Sequence, residues 1–117
     1  MSIKELANLI EARVVFSGRM ATDPIDHVVA DNKISELLNA ASSSTLLITS
    51  LSGLQLIRVA SLMDAPGICL VNGVEPDQAL ITLAGEHNIG LIISPLGLQE
   101  TYRRLAAGLG LTPKDSP

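Results

Sequence analysis

A short turn rich in serine and glycine, Ser50-Leu51-Ser52-Gly53, holds the residues of this chain best suited to binding an anion. It follows an apolar run at residues 45–49 and precedes a helical pattern at residues 53–64. Backbone N–H groups at the start of a helix attract anions with the help of the helix dipole, and the Ser50 and Ser52 hydroxyls would add donors. Any strand-to-helix turn, however, requires the same residue types. The turn is therefore either an anion site or a structural bend.

Two further turns have a similar composition and also follow apolar runs. They are Asn72-Gly73-Val74-Glu75-Pro76 and Ser94-Pro95-Leu96-Gly97. In open parallel sheets, ligands bind beyond the carboxyl ends of the strands, where each strand turns into its helix. All three turns would share that edge, which predicts one ligand-binding region. Its candidate residues are Ser50, Ser52, Gly53, Asn72, Gly73 and Ser94.

The common phosphate-binding motifs are absent from the sequence. There is no G-x-x-x-x-G-K-[ST], and Gly108-Leu109-Gly110 follows a helical pattern instead of a strand. No lysine is placed to reach a phosphate at the first turn. These absences argue against a nucleotide-triphosphate site of the common type, and leave a small anionic ligand, either a nucleotide or a phosphorylated metabolite, as the expectation.

Side chains that could form a catalytic or metal centre are not grouped. His27 and His87 have no cysteine or carboxylate at ligand spacing. Asp23, Asp26 and Asp31 lie in or beside a predicted loop, where turn formation and helix capping explain them. No Ser-His-Asp or Cys-His arrangement is legible from the spacing. We therefore predict no catalytic residues, no metal site and no cofactor, and we predict that the protein is not an enzyme.

Composition limits the size of the core and the class of partner. The chain has 117 residues, 47% of them apolar, which suffices for one domain with an aliphatic core. We assign this domain to residues 1–108 and expect a flexible tail at residues 109–117. The net charge is −4, and Phe16 and Tyr102 are the only aromatic residues, which disfavours nucleic acid as a partner. The single cysteine, Cys69, lies in an apolar run and is predicted to be a core residue.

Hydropathy along the chain bears on its location. No apolar run approaches the roughly 18 residues needed to cross a bilayer. The charged N-terminus, with Lys4 and Glu5, shows no apolar segment typical of a signal peptide. We expect a cytoplasmic protein with no membrane partner.

The order of apolar and polar residues predicts alternating strands and helices. The strands that follow from the sequence are residues 13–16, 27–30, 45–49, 67–71 and 89–94, and the helices are residues 4–11, 33–41, 53–64, 76–87 and 97–107. Three of the strands are unbroken apolar runs, as expected for parallel strands covered on both faces. The predicted fold class is α/β, a three-layer α/β/α sandwich with a mostly parallel sheet of about five strands.

The helix predicted at residues 53–64 has an apolar stripe wider than one face of a sheet requires. Its polar face consists only of Gln55, Arg58 and Ser61. Contiguous apolar surface usually marks an interaction site. We therefore predict a homodimer whose interface includes Leu54 and Leu62, with a separate protein partner as a further expectation.

Residues 7–105 resemble the DRTGG domain, a module found in some phosphotransacetylases, in CBS-containing pyrophosphatases and as short stand-alone proteins. The resemblance is carried by patterns of strands and turns, namely Leu6-Ala7-Asn8-Leu9-Ile10-Glu11-Ala12-Arg13-Val14-Val15, Ala30-Asp31 through Ser35-Glu36-Leu37-Leu38, Leu46-Leu47-Ile48-Thr49, Asn72-Gly73-Val74-Glu75-Pro76-Asp77, Ala84-Gly85-Glu86-His87-Asn88-Ile89-Gly90 and Gln99-Glu100-Thr101.

This chain departs from the residues that give the family its name. Ser50-Leu51-Ser52 stands where the family has Asp-Arg-Thr, and Asn72-Gly73 stands where it has Gly-Gly. If the family's aspartate and arginine bind a ligand, this chain lacks the charges to do so. The resemblance implies a non-catalytic regulatory or interaction domain that forms a dimer.

A second resemblance suggests a different function. Ser50-Leu51-Ser52-Gly53-Leu54, followed one helix later by Leu70-Val71-Asn72-Gly73-Val74, is similar to STAS domains, in which a serine at such a helix start is a phosphorylation switch. This alternative makes Ser52 the phosphoacceptor. Phosphate there would lie at a helix N-terminus, where negative charge is favourable, and would alter the docking of a partner.

Overall fold

The helices and strands alternate in the predicted order. The computed structural model describes residues 2–111. Its helices are α1 Ile3–Ile10, α2 Ile34–Ala40, α3 Gln55–Leu62, α4 Gln78–Glu86 and α5 Leu98–Gly108, and its strands are β1 Arg13–Phe16, β2 His27–Ala30, β3 Thr45–Thr49, β4 Gly67–Leu70 and β5 Gly90–Ile93. The five predicted strands and five predicted helices are confirmed, with ends that differ by at most two residues. Met1 lies outside the described residues, and so do residues 112–117 of the predicted tail. The boundary predicted between the domain (residues 1–108) and the tail (residues 109–117) therefore stays a prediction.

One sheet of five strands organises the molecule, in the order β1-β5-β4-β3-β2. Strands β2 to β5 are parallel, and β1 pairs antiparallel with β5 through a register shift between Val14 and Phe16. The chain therefore moves steadily across the sheet from β2 to β5. Right-handed crossovers in one direction place their helices on one face of the sheet. This confirms the mostly parallel sheet that the sequence predicted.

The two faces of the sheet are covered by different helices, which confirms the three-layer α/β/α sandwich. Residues of α2, α3 and α4 pack on one face, with Leu47, Ile68 and Leu91 of the strands. Residues of α1 and α5 pack on the opposite face, with Ile48 and Ile92. Because each face is covered, every residue of β3, β4 and β5 is buried.

Cys69 lies inside this core, as predicted. Its side chain has no exposed surface, and burial raises the pKa of the thiol to about 12. A thiol with such a pKa stays protonated at neutral pH, and the thiolate is the reactive form. Cys69 is therefore a packing residue.

Most of the apolar stripe of α3 is covered within the chain. Its residues Leu56, Ile57, Val59 and Ala60 are buried, because α2 and α4 flank it as well as the sheet. Among the large apolar side chains in and beside α3, Leu54 remains 44% exposed and Leu62 remains 74% exposed. No helix within residues 2–111 is both long and apolar enough to cross a membrane.

A short 3₁₀ helix, Gly18–Ala21, overlaps the segment that the sequence predicts to be a loop from residue 20 to residue 26. Its residue Met20 is almost fully buried and lies over two strand glycines, Gly67 and Gly90. A Cβ atom at Gly67 would overlap the Met20 side chain. A Cβ atom at Gly90 would also lie 2.6 Å from the carbonyl oxygen of Ser17. The glycines at the start of β4 and β5 therefore leave the space that Met20 fills.

We expect Gly67→Ala and Gly90→Ala each to lower the free energy of unfolding by about 1–3 kcal/mol through overpacking, measured by urea denaturation. The atoms nearest to the added methyl group at Gly67 all belong to Met20. A double-mutant cycle with Met20→Ala should therefore recover more stability for Gly67→Ala than for Gly90→Ala, where backbone remains in the way. Gly85→Ala, on an open helix surface, is the control and should not destabilise. Equal recovery at both glycines would contradict this packing.

Candidate functional site

The turns that follow β3, β4 and β5 adjoin one another at the carboxyl edge of the sheet. The Val71 N–H donates to the Thr49 carbonyl across 3.2 Å, which joins the first turn to the second. The Gly73 N–H donates to the Ser94 carbonyl across 2.9 Å, which joins the second turn to the third. The candidate residues of these turns therefore belong to one continuous edge, with Asn72, Gly73 and Ser94 in the same hydrogen-bonded segment.

The turn after β4 depends on two residues with left-handed backbone conformation. Asn72 has φ 60° and Gly73 has φ 64°, a conformation that asparagine and glycine adopt more readily than other residues. The Asn72 N–H donates to the Leu96 carbonyl across 2.8 Å, and Gly73 bonds to Ser94 as described above. Both amides already have acceptors within the protein. What this turn presents to solvent is the Asn72 side chain and the open surface of Gly73.

Ser94 supports the third turn from inside the protein. It is fully buried, its hydroxyl lies 2.8 Å from Thr101 Oγ1, and it accepts a hydrogen bond from the Leu96 N–H across 3.1 Å. Thr101, which the sequence did not single out as a site residue, holds it from the first turns of α5. Ser94 and Thr101 are thus positioning residues for the loop around Leu96.

The turn after β3 is held by Asn32, which follows β2 at the same edge. Asn32 Oδ1 accepts a hydrogen bond from the Ser50 N–H across 2.8 Å and another from the Thr49 hydroxyl across 3.2 Å. The Leu51 N–H in turn donates to Thr49 Oγ1 across 3.1 Å. Asn32 is not among the site residues that the sequence predicts. It directly follows β2, which pairs with β3 in parallel, and this position places it beside the turn that follows β3.

Helix α3 begins without a capping side chain. Its N-cap residue is Leu54, and its first turn contains no acidic residue. The earliest bonds run from the Leu56 N–H to the Gly53 carbonyl and from the Ile57 N–H to the Leu54 carbonyl, each at 3.1 Å. Within residues 2–111, the N–H groups of residues 52–55 donate to no protein acceptor. Residues 52–55 are exposed, and the start of α3 carries the positive end of the helix dipole.

The other helices that begin at this edge contain a carboxylate near their first turn. Glu36 lies in the first turn of α2, the Asp77 carboxylate accepts from the Leu80 N–H at the start of α4, and Glu100 lies in the first turn of α5. Hydrogen bonds from Arg103 and Arg104 lower the pKa of Glu100 to about 2, so it is ionised at neutral pH. Of these four helix starts, that of α3 alone lacks a negative group of its own.

Among residues 2–111, two small depressions are found at this edge. A groove of about 80 Å³ beside the start of α3 is lined by Ile34, Leu51, Gly53, Gln55 and Leu56. A cleft of about 170 Å³ lies over the end of β5, lined by Glu11, Arg13, Gly73, Glu75, Ile93 and Pro95. Pockets that enclose drug-sized ligands or cofactors measure roughly 300–1,000 Å³. A ligand as large as a dinucleotide would therefore lie mostly on the surface of a single chain.

The histidines lie apart from both depressions. His27 Nδ1 is 2.5 Å from Asp26 Oδ1 at the opposite end of β2, and His87 Nδ1 is 3.4 Å from Ser61 Oγ at the far ends of α3 and α4. Across residues 2–111, no three His, Cys, Asp or Glu side chains are grouped in a way that could hold a metal ion.

Comparison with known proteins gives a structural relationship. No protein-family model matches the sequence, and no curated protein matches it either. The fold superposes on a crystal structure of the CBS and DRTGG domains of the regulatory region of Clostridium perfringens pyrophosphatase, with a TM-score of 0.67. The sequence identity is 17%, and the match covers 89% of this chain and 45% of that one.

The predicted resemblance is confirmed as a likeness of fold. The DRTGG pattern that the sequence suggested and the structural match indicate the same fold. This chain spans a little under half the length of that structure, which was determined in complex with an activator, diadenosine tetraphosphate. At this level of identity the match establishes the fold, and the function is argued separately below.

We expect Asn32→Ala to lower the free energy of unfolding by about 0.5–1.5 kcal/mol, because the Ser50 amide and the Thr49 hydroxyl lose their shared acceptor. Asn32→Asp keeps an acceptor oxygen and should retain most of the stability. Asn39→Ala, at an exposed position in α2, is the matched control. Chemical denaturation measures all three, and an Asn32→Ala variant as stable as the control would show that this bond does not hold the turn.

Proposed function

We propose that this chain is a non-catalytic regulatory domain that binds a small anionic ligand at the start of α3 and acts as a homodimer. The ligand class is a nucleotide or a phosphorylated metabolite. It would contact the amides of residues 52–55 and the hydroxyls of Ser50 and Ser52, with Gly53 giving it close access to the backbone. Asn72 and Gly73 form the neighbouring rim, and Ser94 supports that rim from below.

The observation that carries this proposal is the uncompensated N-terminus of α3. The N–H groups of residues 52–55 have no acceptor within residues 2–111, and both the helix dipole and the exposed Ser52 favour a negative group. A regulatory role is supported by the fold, since the structurally similar pyrophosphatase region is regulatory and was crystallised with a nucleotide activator.

Charge limits the class of anion. The chain has a net charge of −4, and the α3 start is lined by serine, glycine and leucine instead of lysine or arginine. Neutral donors hold one phosphoryl or carboxyl group well but do not neutralise a long polyphosphate. We therefore expect a ligand that presents a single phosphoryl group to this turn, or a polyphosphate whose other charges are carried by Mg²⁺.

A thermal-shift screen tests the proposal. The panel comprises nucleotides, dinucleotides including diadenosine tetraphosphate, acetyl phosphate and coenzyme A, each with and without Mg²⁺. A ligand at a hundred times its dissociation constant adds about 2.7 kcal/mol to the free energy of unfolding and raises the melting temperature by about 10 °C for a domain of this size. We expect at least one compound of the panel to do so.

The Ser52→Glu variant shows where that compound binds. Its own carboxylate would lie at the positive end of α3 and compete with the ligand, so the ligand-induced shift should disappear. Ser43→Glu makes the same change at an exposed position before β3, at the opposite edge of the sheet, and should keep the shift. Loss of the shift in both variants, or in neither, would count against a site at α3, and no shift with any compound would make the turn a structural bend.

Phosphorylation of Ser52 is the second candidate function, and the exposure of this residue favours it. Ser52 lies two residues before the N-cap of α3, where about two negative charges of a phosphoryl group would be stabilised by the dipole. Intact-mass analysis after incubation with a cognate kinase distinguishes this function. A single added phosphate that Ser52→Ala removes would support it, and modification elsewhere would contradict it.

The homodimer is proposed on the two large apolar side chains that the chain leaves uncovered beside and within α3. Leu54 and Leu62 remain 44% and 74% exposed, near opposite ends of this helix. An interface that buries both would run along α3 and would bring two α3 starts into one assembly. A symmetric, self-complementary contact is the common form of a dimer interface.

We expect a dimeric mass by sedimentation at micromolar concentration, and a monomeric mass for Leu62→Asp. Burying a charged group in an apolar interface without a partner opposes association. Ser61→Asp places the same charge at the neighbouring exposed position of α3 and serves as the control. A monomeric mass for the unaltered chain would refute the dimer, and a dimeric Leu62→Asp would exclude Leu62 from the interface.

A further inference from the structure

The cleft over β5 lies at the point where the chain changes faces of the sheet. Helix α4, which follows β4, packs on the same face as α2 and α3, whereas α5, which follows the adjacent strand β5, packs on the opposite face with α1. The loops after these two strands therefore diverge. Such a switch point, beyond the carboxyl ends of adjacent strands, is where open α/β sheets bind ligands.

The antiparallel strand β1 closes one side of this cleft. Because β1 pairs with β5 in reverse, its first residue, Arg13, lies opposite the last residue of β5, Ile93. Ile93, which is almost completely buried, and Pro95, which is exposed, are the apolar residues that line the cleft. Gly73 lines the cleft without a side chain. The cleft thus combines apolar lining residues with the guanidinium group of Arg13.

The charged groups at the rim are of both signs. Arg13 Nη2 lies 2.7 Å from Glu75 Oε1, and the two side chains are 54% and 78% exposed. Within residues 2–111 this is the one hydrogen bond of the Arg13 guanidinium, which carries five N–H donors. Glu11 lines the same cleft, and its carboxylate also lies 3.7 Å from Arg104. The rim offers one cation with unused donors and two carboxylates.

One guanidinium beside two carboxylates is a poor binding site for a ligand that carries charge of only one sign. A polyanion would face Glu11 and Glu75, and a simple cation would face Arg13. A ligand with one carboxylate and one ammonium group matches both signs at once. The cleft volume of about 170 Å³ is below the roughly 300–1,000 Å³ of pockets that enclose drug-sized ligands, so the cleft suits a ligand of the size of a small amino acid.

We propose that the cleft lined by Glu11, Arg13, Gly73, Glu75, Ile93 and Pro95 binds a small zwitterionic α-amino acid. The ligand carboxylate bonds to the Arg13 guanidinium, the ammonium group bonds to Glu75 and Glu11, and a short apolar side chain rests on Ile93 and Pro95. This site is separate from the start of α3 and does not depend on the anion site there. The domain would then bind two classes of ligand, an anion and an amino acid, at one edge of its sheet.

Two-dimensional ¹H–¹⁵N NMR of the full chain tests this site, with glycine, L-alanine, L-serine and L-proline as probes at up to about 10 mM, the range of weak small-ligand binding. We expect the amides of Glu11, Arg13, Gly73 and Glu75 to shift and to saturate with at least one probe. Acetate and ethylammonium, which carry one charge each, should bind at least about tenfold more weakly. Inorganic phosphate should leave these amides unmoved.

Two variants test the charged residues of the cleft, and two more serve as controls. Arg13→Gln should weaken binding of the amino acid by about tenfold or more, whereas Arg103→Gln, at an exposed arginine of α5 outside the cleft, should not. Glu75→Gln should shift the preference from the amino acid toward acetate, because one partner of the ammonium group is removed. Ser52→Glu should bind the amino acid normally, which separates this site from the one at α3.

Several outcomes would overturn the proposal. They are the absence of any shift at the cleft amides with all four probes, an unchanged affinity in Arg13→Gln, and a stronger response to phosphate than to the amino acids. All of these variants change exposed side chains, and their spectra report directly whether the fold is retained.

Discussion

Burial of the parallel sheet on both faces is the constraint on which the rest of this structure depends. Strands β3, β4 and β5 have no exposed residue, and a side chain in such a strand faces a helix layer whichever way it points. The polar groups that this fold can offer a ligand therefore lie where the strands end. At the carboxyl edge, four helices also begin, and their free amides add donors.

Many of the polar groups at this edge already form hydrogen bonds within the chain. The Asn72 and Gly73 amides bond to the loop after β5, the Ser94 hydroxyl bonds to Thr101, and Asn32 holds the turn after β3. These bonds join the three turns to one another. The donors at the start of α3, a helix without an acidic residue in its first turn, and the guanidinium of Arg13 lie on different parts of the edge. The two proposed sites use these two sets of donors.

The fold could be predicted from the sequence because its signals are local. Unbroken apolar runs such as Leu46-Leu47-Ile48 indicate buried parallel strands. Asparagine often adopts the left-handed conformation at the end of a helix, and Asn88 does so with φ 57°. The three candidate turns were recognisable for the same reason. The missing parts depend on contacts distant in sequence. Only the folded chain shows that β1 is antiparallel beside β5, that Asn32 bonds to Ser50, or that Arg13 and Glu75 meet across 62 positions. The cleft is assembled from such contacts, so residue types alone did not reveal it.

Residue-resolved NMR with diadenosine tetraphosphate and Mg²⁺ tests most directly the central claim that the unpaired amides at the start of α3 receive an anion. The account predicts that the amide signals of residues 52–55 move first and together. Those of Asn72 and Gly73, whose hydrogens are already bonded to Leu96 and Ser94, should move less. Unmoved signals at residues 52–55 while other amides respond would contradict the claim and place the ligand elsewhere on the domain.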